Sequence, residues 1–284
     1  MAQALQTDGR VELHSFPAAP VDLPGIVGTL HVLGPIPSAA LGPERPVYVW
    51  LPGSYAHEPQ RHYPVLYMQD GQNLFTDALA FGQEWRVDEH LERLGALGLE
   101  TIVVGIPNGE ATRLDEYSPF TDAEGRGRGD AYLSFVLDEV MPAVAKHYRV
   151  LPDRETTGIM GSSMGALISL YAFFRHPERF GFVGAISPSI WFADAALLHL
   201  VAGAPFAGGR IYLDIGTDEG GTHVGPVHDV HRLLLDKGYR QGESLFYVEE
   251  DHAAHTEAAW AHRLRTALYF LLPPAPAPST ADAP

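Results

Sequence analysis

Short apolar blocks alternate with segments of helical periodicity along most of the chain. The blocks "YPVLYMQD" (63–70) and "TIVVGIP" (101–107) are dominated by apolar and β-branched residues, as expected for strands buried on both faces of a sheet. In "QEWRVDEHLERLGALG" (83–98) apolar residues return every three to four positions, which predicts a helix that ends near Gly98. The alternation predicts an α/β fold with a mostly parallel sheet and helices on both faces.

The regions around these blocks extend the same pattern. A Pro- and Gly-rich segment, 17–45, predicts an antiparallel hairpin at the N-terminal edge of the sheet. Pro142 falls within a long helical pattern, 130–148, where it predicts a kink or a break. The Pro/Ala-rich segment 273–284 predicts a disordered tail after a single domain over 1–272. The further predicted strands are 46–52, 155–161, 180–187, 210–216 and 244–250, and the further predicted helices begin near Met164, Ala193, Val224 and Thr256.

Polar residues follow almost every predicted strand. In a parallel sheet the carboxyl ends of the strands share one edge, and ligands bind in the crevice beyond it. We therefore expect the functional site to be built from the segments that follow the strands, which are 69–73, 107–108, 162–163, 187–191, 216–219 and 250–255.

One of these segments carries a G-x-S-x-G motif centred on Ser163. A serine at a sharp strand-to-helix turn projects its Oγ out of the sheet, and Gly161 and Gly165 leave room for the neighbouring backbone. The helix that follows places its positive end, and the N–H of Met164, where an oxyanion would form. Ser162 has the wrong offset for this role, so we expect it to pack beneath the turn.

A serine nucleophile needs a base, and the base needs a carboxylate that orients it. In doubly wound hydrolases these groups follow in the order serine, acid, histidine. Asp218 and Glu219 come after one downstream strand, and His252 and His255 come after the last strand, so the order fits. Spacing alone leaves both choices open within each pair.

The motifs together resemble the Putative esterase family of the α/β-hydrolase superfamily. This family includes esterase D, feruloyl esterases, enterochelin esterase-like proteins and the antigen 85 acyltransferases. The chain departs from the family at Ala166, where relatives commonly have a second glycine, and alanine is a good helix former. The resemblance runs from about Arg45 to Leu271 and rests on "VYVWLPGSY", "YPVLYMQDGQNLF", "IVVGIPN", "RLDEYSP", "MGSSMGALISLY", "HPERFGFVGAISPSIW", "IGTDEG" and "HTEAAWAHRL".

The resemblance implies a role for each candidate residue. By similarity, Ser163 is the nucleophile, His255 the general base and Glu219 the acid. The oxyanion hole would consist of the backbone N–H groups of Met164 and Gln72. The implied activity is that of a serine esterase that forms an acyl-enzyme and needs neither cofactor nor metal.

Three further residues are expected to line the substrate pocket, namely Asp70, Arg113 and Trp191. Trp191 either forms a wall of the pocket or caps the core. Arg113 either binds substrate or pairs with Glu116 to hold a long polar loop, and an Arg–Glu pair favours the second reading. Asp218 is the alternative triad acid.

Composition and charge exclude several other classes of function. The 284-residue chain has a formal net charge of −16, which disfavours contact with nucleic acid or with an anionic membrane surface. It contains no cysteine, so disulfides and thiolate metal sites are excluded. The spacings His228-x-x-His231 and His252-x-x-His255 suit a metal, but the first lacks a neighbouring carboxylate-rich set and the second is better used by the triad. No signal peptide is evident, so we expect a cytoplasmic protein.

The sequence therefore predicts a carboxylic ester hydrolase that acts on short-chain or small acyl esters. Two alternatives stay open: an acyltransferase of the antigen 85 type, disfavoured by the missing secretion signal, and a non-catalytic hydrolase-fold binding protein. The expected partner is a small-molecule ester. The sequence indicates neither the physiological substrate nor an oligomeric state.

Overall fold

A nine-stranded sheet forms the centre of the protein. The computed structural model describes residues 18–122, 125 and 127–274. The strands are β1 (Ala18–Pro20), β2 (Thr29–Ser38), β3 (Gly42–Leu51), β4 (Val65–Gln69), β5 (Ile102–Ile106), β6 (Thr157–Ser162), β7 (Phe182–Ile186), β8 (Arg210–Gly216) and β9 (Leu245–Glu250).

The strands lie in the order β1-β2-β3-β5-β4-β6-β7-β8-β9. Three neighbouring pairs at the N-terminal edge are antiparallel, namely β1–β2, β2–β3 and β3–β5. The remaining neighbouring pairs are parallel, namely β5–β4, β4–β6, β6–β7, β7–β8 and β8–β9. Every residue of β4, β5, β6 and β7 is buried, because helices cover both faces of the sheet there. The predicted hairpin at the N-terminal edge is the β2–β3 pair.

Helices pack against both faces. Val87–Gly95 and the final helix bury Leu91 and Leu264 in one core, while the other helices bury residues such as Leu167 and Val230 in a larger core on the opposite face. The helices are α1 (Val87–Gly95), α2 (Arg113–Glu116), α3 (Gly129–Ser134), α4 (Met141–His147), α5 (Met164–Arg175), α6 (Phe192–Gly203), α7 (Gly221–Asp236) and α8 (Glu257–Leu271).

The sequence misplaced the start of one helix and predicted a break that is milder in the structure. The helix expected over 83–98 begins only at Val87, because Arg86 has a positive φ that a helix cannot continue through. Around Pro142 the chain stays helical, with a π-helical turn, Phe135–Val140, directly before α4. Proline cannot donate a hydrogen bond to the preceding turn and its ring crowds that turn, and a wider π-helical turn leaves room for it. The expected tail, 273–284, lies outside the described residues except for its first two.

Candidate active site

Ser163 occupies a strained turn between β6 and α5. Its φ of 55° and ψ of −122° are unusual for a residue with a Cβ. A Cβ at Gly161 would lie 2.7 Å from the carbonyl carbon of Gly165, and one at Gly165 would lie 3.0 Å from Cβ of Gln69. Only glycine therefore fits at Gly161, and a side chain at Gly165 would require the neighbouring Gln69 to shift by a few tenths of an ångström. Ser162 is buried in β6, as expected.

His255 and Glu219 complete a hydrogen-bonded chain with this serine. Nε2 of His255 lies 2.9 Å from Oγ of Ser163, and its Nδ1 lies 2.7 Å from Oε2 of Glu219. The alternative pair points to solvent: the side chains of His252 and Asp218 are 90% and 55% exposed, with their nearest charged atoms 3.7 Å apart. The structure thus brings together the histidine and the carboxylate that the resemblance implies.

Close packing between two loops brings His255 to the serine. A Cβ at Gly216 would lie 2.2 Å from the carbonyl oxygen of Ala253, so the glycine lets the β9–α8 loop pass directly against the end of β8. That same carbonyl accepts a hydrogen bond of 3.1 Å from the N–H of Asp218. Thr256 then caps α8 by accepting from the N–H of Ala259.

The carboxylate of Glu219 is buried and fully hydrogen-bonded. Its Oε2 faces His255, and its Oε1 accepts from Oγ of Ser187 at 2.5 Å and from the N–H of Gly216 at 2.9 Å. Burial alone would raise the pKa of Glu219, but the hydrogen bonds from His255, Ser187 and Gly216 outweigh it and hold the pKa below its usual value. Glu219 is therefore a stable carboxylate at neutral pH, as an orienting acid must be.

A buried arginine supports this carboxylate from behind. The guanidinium of Arg263 is 3% exposed; it donates to Oγ of Ser187 at 2.6 Å, to Oδ2 of Asp214 at 3.0 Å and to Oε2 of Glu250 at 3.0 Å. Burial raises the pKa of Asp214 to about 6, and the charge of Arg263 opposes that rise. The sequence reasoning did not single out Ser187, Asp214 or Arg263, although "HTEAAWAHRL", which contains Arg263, was among the motifs of the resemblance.

The two residues expected to form the oxyanion hole belong to segments that meet at the serine turn. Met164 is the first residue of α5, where backbone N–H groups have no partner within the helix. Gln72 lies in the short 3-10 helix Gly71–Asn73 after β4, the strand that pairs with β6. This loop touches the serine turn, because a Cβ at Gly165 would lie 3.3 Å from Oδ2 of Asp70.

An ion pair holds the loop after β4 in place. Asp70 has a positive φ of 55°, and Arg113 donates to its two oxygens at 2.7 and 2.8 Å. Asn108 donates to the same carboxylate at 2.6 Å, and the N–H of Asp70 donates to the hydroxyl of Tyr117 at 3.1 Å. Such a bidentate pair fixes both partners.

The expected pairing of Arg113 with Glu116 is wrong. Glu116 is buried, and its carboxylate accepts two hydrogen bonds of 2.8 Å from Arg45 of β3. Arg113 instead reaches the loop after β4, where it binds Asp70. Proximity in the sequence suggested that Arg113 pairs with Glu116, but the two residues of this short helix bind different partners.

Trp191 lies beside the site rather than over the core. It is 45% exposed, and its ring meets that of His223 at 5.6 Å between centroids. The ring of His223 stacks on His255 at 5.5 Å, and the ring of Trp260 meets His255 edge-on at 4.9 Å. His223 and Trp260, which the sequence reasoning did not single out, therefore both pack against the imidazole.

The histidines of the pair His228-x-x-His231 contact a carboxylate and a tyrosine ring. His228 lies 3.0 Å from Oε1 of Glu249, and His231 stacks on Tyr247. Within the described ranges, no group of three or more His, Asp or Glu side chains has the geometry to hold a metal ion. Over the same residues, no helix combines the length and the apolar character needed to cross a membrane.

The sheet order and the serine turn define the protein as an α/β hydrolase. The chain belongs to the Putative esterase family, whose model matches residues 38–271. It is accordingly an esterase, a carboxylic ester hydrolase by class.

Relatives of this family include bacterial and fungal proteins. The chain is 28% identical over 224 residues to the uncharacterized protein YbbA of Bacillus subtilis. The match covers 73% of this chain and 84% of that protein. It is 31% identical over 144 residues to the siderophore triacetylfusarinine C esterase of Aspergillus fumigatus, covering 48% and 47% of the two chains. The match thus spans about half of the fungal enzyme.

Solved structures of esterases share the fold. A ferulic acid esterase superposes with a TM-score of 0.66 at 20% identity, over 90% of this chain and 99% of its own. The enterobactin esterase FES from Shigella flexneri, determined with enterobactin, gives a TM-score of 0.69 at 22% identity, over 90% of this chain and 58% of its own. At these identities the likeness concerns the fold alone.

Proposed function

We propose that the protein is a serine esterase in which Ser163, His255 and Glu219 form the catalytic triad and the reaction proceeds through an acyl-enzyme. The observation that carries the proposal is the unbroken chain of hydrogen bonds from Oγ of Ser163 through His255 to Glu219. Both distances are within the range needed for proton transfer and for orientation of the base.

The chemistry follows from this geometry. His255 takes the proton of Ser163 as Oγ attacks the acyl carbonyl, and Glu219 stabilises the imidazolium that results. The N–H groups of Met164 and Gln72 donate to the oxyanion, each contributing about 3–4 kcal/mol to lowering the barrier. The imidazolium then protonates the departing alcohol, and water activated by His255 releases the acid from Ser163.

Short-chain esters are the substrates that we propose. The loop after β4, held by Asp70 and Arg113, touches the serine turn, and the exposed ring of Trp191 packs on His223 beside His255, so both would contact the substrate. A second candidate substrate is a siderophore ester, since several relatives carry names such as siderophore enterobactin esterase and iron(III) salmochelin esterase. These matches cover less than half of this chain, so the test includes both classes.

The test is hydrolysis of p-nitrophenyl acetate, triacetylfusarinine C and enterobactin by the purified protein. Wild type is expected to release p-nitrophenol, and Ser163→Ala to lose that activity. His255→Ala should lose activity as well, whereas His252→Ala, in the same loop but exposed, should retain it. Full activity of Ser163→Ala would refute the triad. Acyl transfer to an added alcohol in preference to water would favour an acyltransferase, and an inert wild type would favour a binding protein.

A further inference from the structure

The turn Ser187-Pro188-Ser189, which follows β7, contacts both ends of the triad. Oγ of Ser187 lies 2.5 Å from Oε1 of Glu219, and Oγ of Ser189 lies 3.1 Å from Oγ of Ser163. Both serines are almost fully buried, at 1% and 2% exposure. Their hydroxyls are therefore fixed by protein groups rather than by solvent.

Backbone hydrogen bonds hold the turn in register with its neighbours. The N–H of Ser187 donates to Oδ1 of Asp214 on β8 at 2.9 Å, and the N–H of Ser189 donates to the carbonyl of Ser163 at 3.1 Å. The proline between the two serines restricts the backbone further. The turn is thus a rigid bridge between the acid and the nucleophile.

The direction of the hydrogen bond at the acid end follows from the chemistry of the partners. Arg263 can only donate, so Oγ of Ser187 is the acceptor in their 2.6 Å contact. The hydroxyl hydrogen of Ser187 is then free to point at Glu219, whose ionised carboxylate can only accept.

The same reasoning fixes the direction at the nucleophile end. Because Glu219 can only accept, Nδ1 of His255 carries the hydrogen in their 2.7 Å contact, and Nε2 accepts from the hydroxyl of Ser163. That bond uses the only hydrogen on Ser163. In the 3.1 Å contact between the two hydroxyls, Ser189 must therefore be the donor.

We propose that this turn is a catalytic element, in which Ser189 is a hydrogen-bond donor to the nucleophilic oxygen and Ser187 is a positioning residue for the triad acid. The inference rests on the proposed triad. As Oγ of Ser163 bonds to the acyl carbon, its proton passes to His255, and the hydrogen of Ser189 stays on Ser189 while stabilising the charge on Oγ. When the acyl-enzyme is resolved, the Oγ–carbon bond breaks, Oγ recovers its proton from His255, and Ser189 again donates to the departing oxygen.

Removing each hydroxyl should leave a different signature. Ser189→Ala should lower kcat/KM for p-nitrophenyl acetate about 10-fold at every pH, since one hydrogen bond to a charged atom is lost. The acidic limb of the pH profile should not move, because Ser163 can turn its hydroxyl toward Ser189 when His255 is protonated.

Ser187→Ala should instead move the acidic limb. Loss of its hydrogen bond leaves the Glu219 carboxylate less stabilised, most of all when no positive charge faces it, so the variant favours the form of the triad that carries the imidazolium. The limb should shift to higher pH by roughly half a unit to one unit. Arg263→Lys, which keeps the charge but not the fork of donors, should shift it in the same direction and serves as the second variant if Ser187→Ala does not fold.

The experiment measures kcat/KM from about pH 5 to about pH 9 for both alanine variants and for Ser38→Ala. Ser38 is a buried serine at the end of β2 whose Oγ accepts from the N–H of Leu41, so its loss controls for deleting a buried hydroxyl. The proposal is overturned for Ser189 if its variant stays within twofold of Ser38→Ala. It is overturned for Ser187 if neither Ser187→Ala nor Arg263→Lys moves the limb. Ser163→Ala is measured alongside. Its loss of activity supports the assignment of the triad separately from the results of these variants.

Discussion

Replacing Glu219 with glutamine should disable the triad while changing little else. Oε1 of Glu219 accepts two hydrogen bonds, from Ser187 and Gly216, so the amide oxygen of a glutamine would take that side. Its NH2 group would then face Nδ1 of His255 and force the hydrogen of the imidazole onto Nε2. In that tautomer His255 cannot accept the proton of Ser163. We expect kcat/KM to fall about 10³–10⁴-fold, which corresponds to about 4–5.5 kcal/mol of barrier.

The chain offers a matched control for this variant at the preceding residue. Asp218 is 55% exposed and the side chain of His252, 3.7 Å from it, is 90% exposed, so Asp218→Asn should leave kcat/KM within about twofold of wild type. Both variants are assayed on p-nitrophenyl acetate, with thermal unfolding measured to verify folding. A larger loss in Asp218→Asn than in Glu219→Gln would refute the assignment of the acid.

Two further predictions concern the supports of the triad. Arg263→Met leaves Asp214 buried without its cation and should lower the free energy of unfolding by about 3–5 kcal/mol at about pH 8, measured by urea denaturation. The loss should be smaller at about pH 5, because a protonated Asp214 is neutral and needs no cation. Burial raises the pKa of Asp214 to about 6, above its unfolded value, so the stability that the protonated form contributes is present at low pH and is lost as the pH rises through that range. Gly216→Ala places a Cβ 2.2 Å from the carbonyl of Ala253 and should displace the histidine loop, lowering kcat/KM about 10- to 100-fold.

Each of these predictions has a clear contrary outcome. An equal loss of stability at both pH values for Arg263→Met would mean that Asp214 does not carry the effect. For the glycine, the control is Gly225→Ala in α7, where a Cβ would meet nothing within 4 Å, and alanine there should stabilise the helix slightly. Equal activity of the two alanine variants would show that the contact at Gly216 does not position the loop.

The sequence predicted most of the sheet because burial on both faces leaves a direct trace in the chain. The short apolar runs that form β4 and β5 are bounded by turn or polar residues, as expected of strands buried on both faces. The start of α1 was misplaced because Trp85 fits the helical period yet lies in a loop, buried against Trp260. Apolar spacing reports which side chains are buried, and only backbone geometry decides where a helix begins.

The order of the strand ends predicted the serine and left two candidates each for the histidine and the acid, between which the resemblance to the esterase family chose His255 and Glu219. The supporting residues could not be predicted, since their role arises from contacts between distant segments: Arg263 of α8 binds Ser187, which lies 76 residues away in the chain, after β7. Ser189 likewise reaches Ser163 only because β6 and β7 are adjacent in the sheet. No local pattern records such contacts, whereas the strand-to-helix turn at Ser163 has a motif of its own.

The most direct test of the central claim is to trap the nucleophile. A fluorophosphonate that reacts with activated serines is incubated with the protein, and the modified residue is identified by peptide mass spectrometry. The account predicts one adduct, on Oγ of Ser163, and no adduct in Ser163→Ala. Modification of another residue, or equal labelling of the alanine variant, would contradict it.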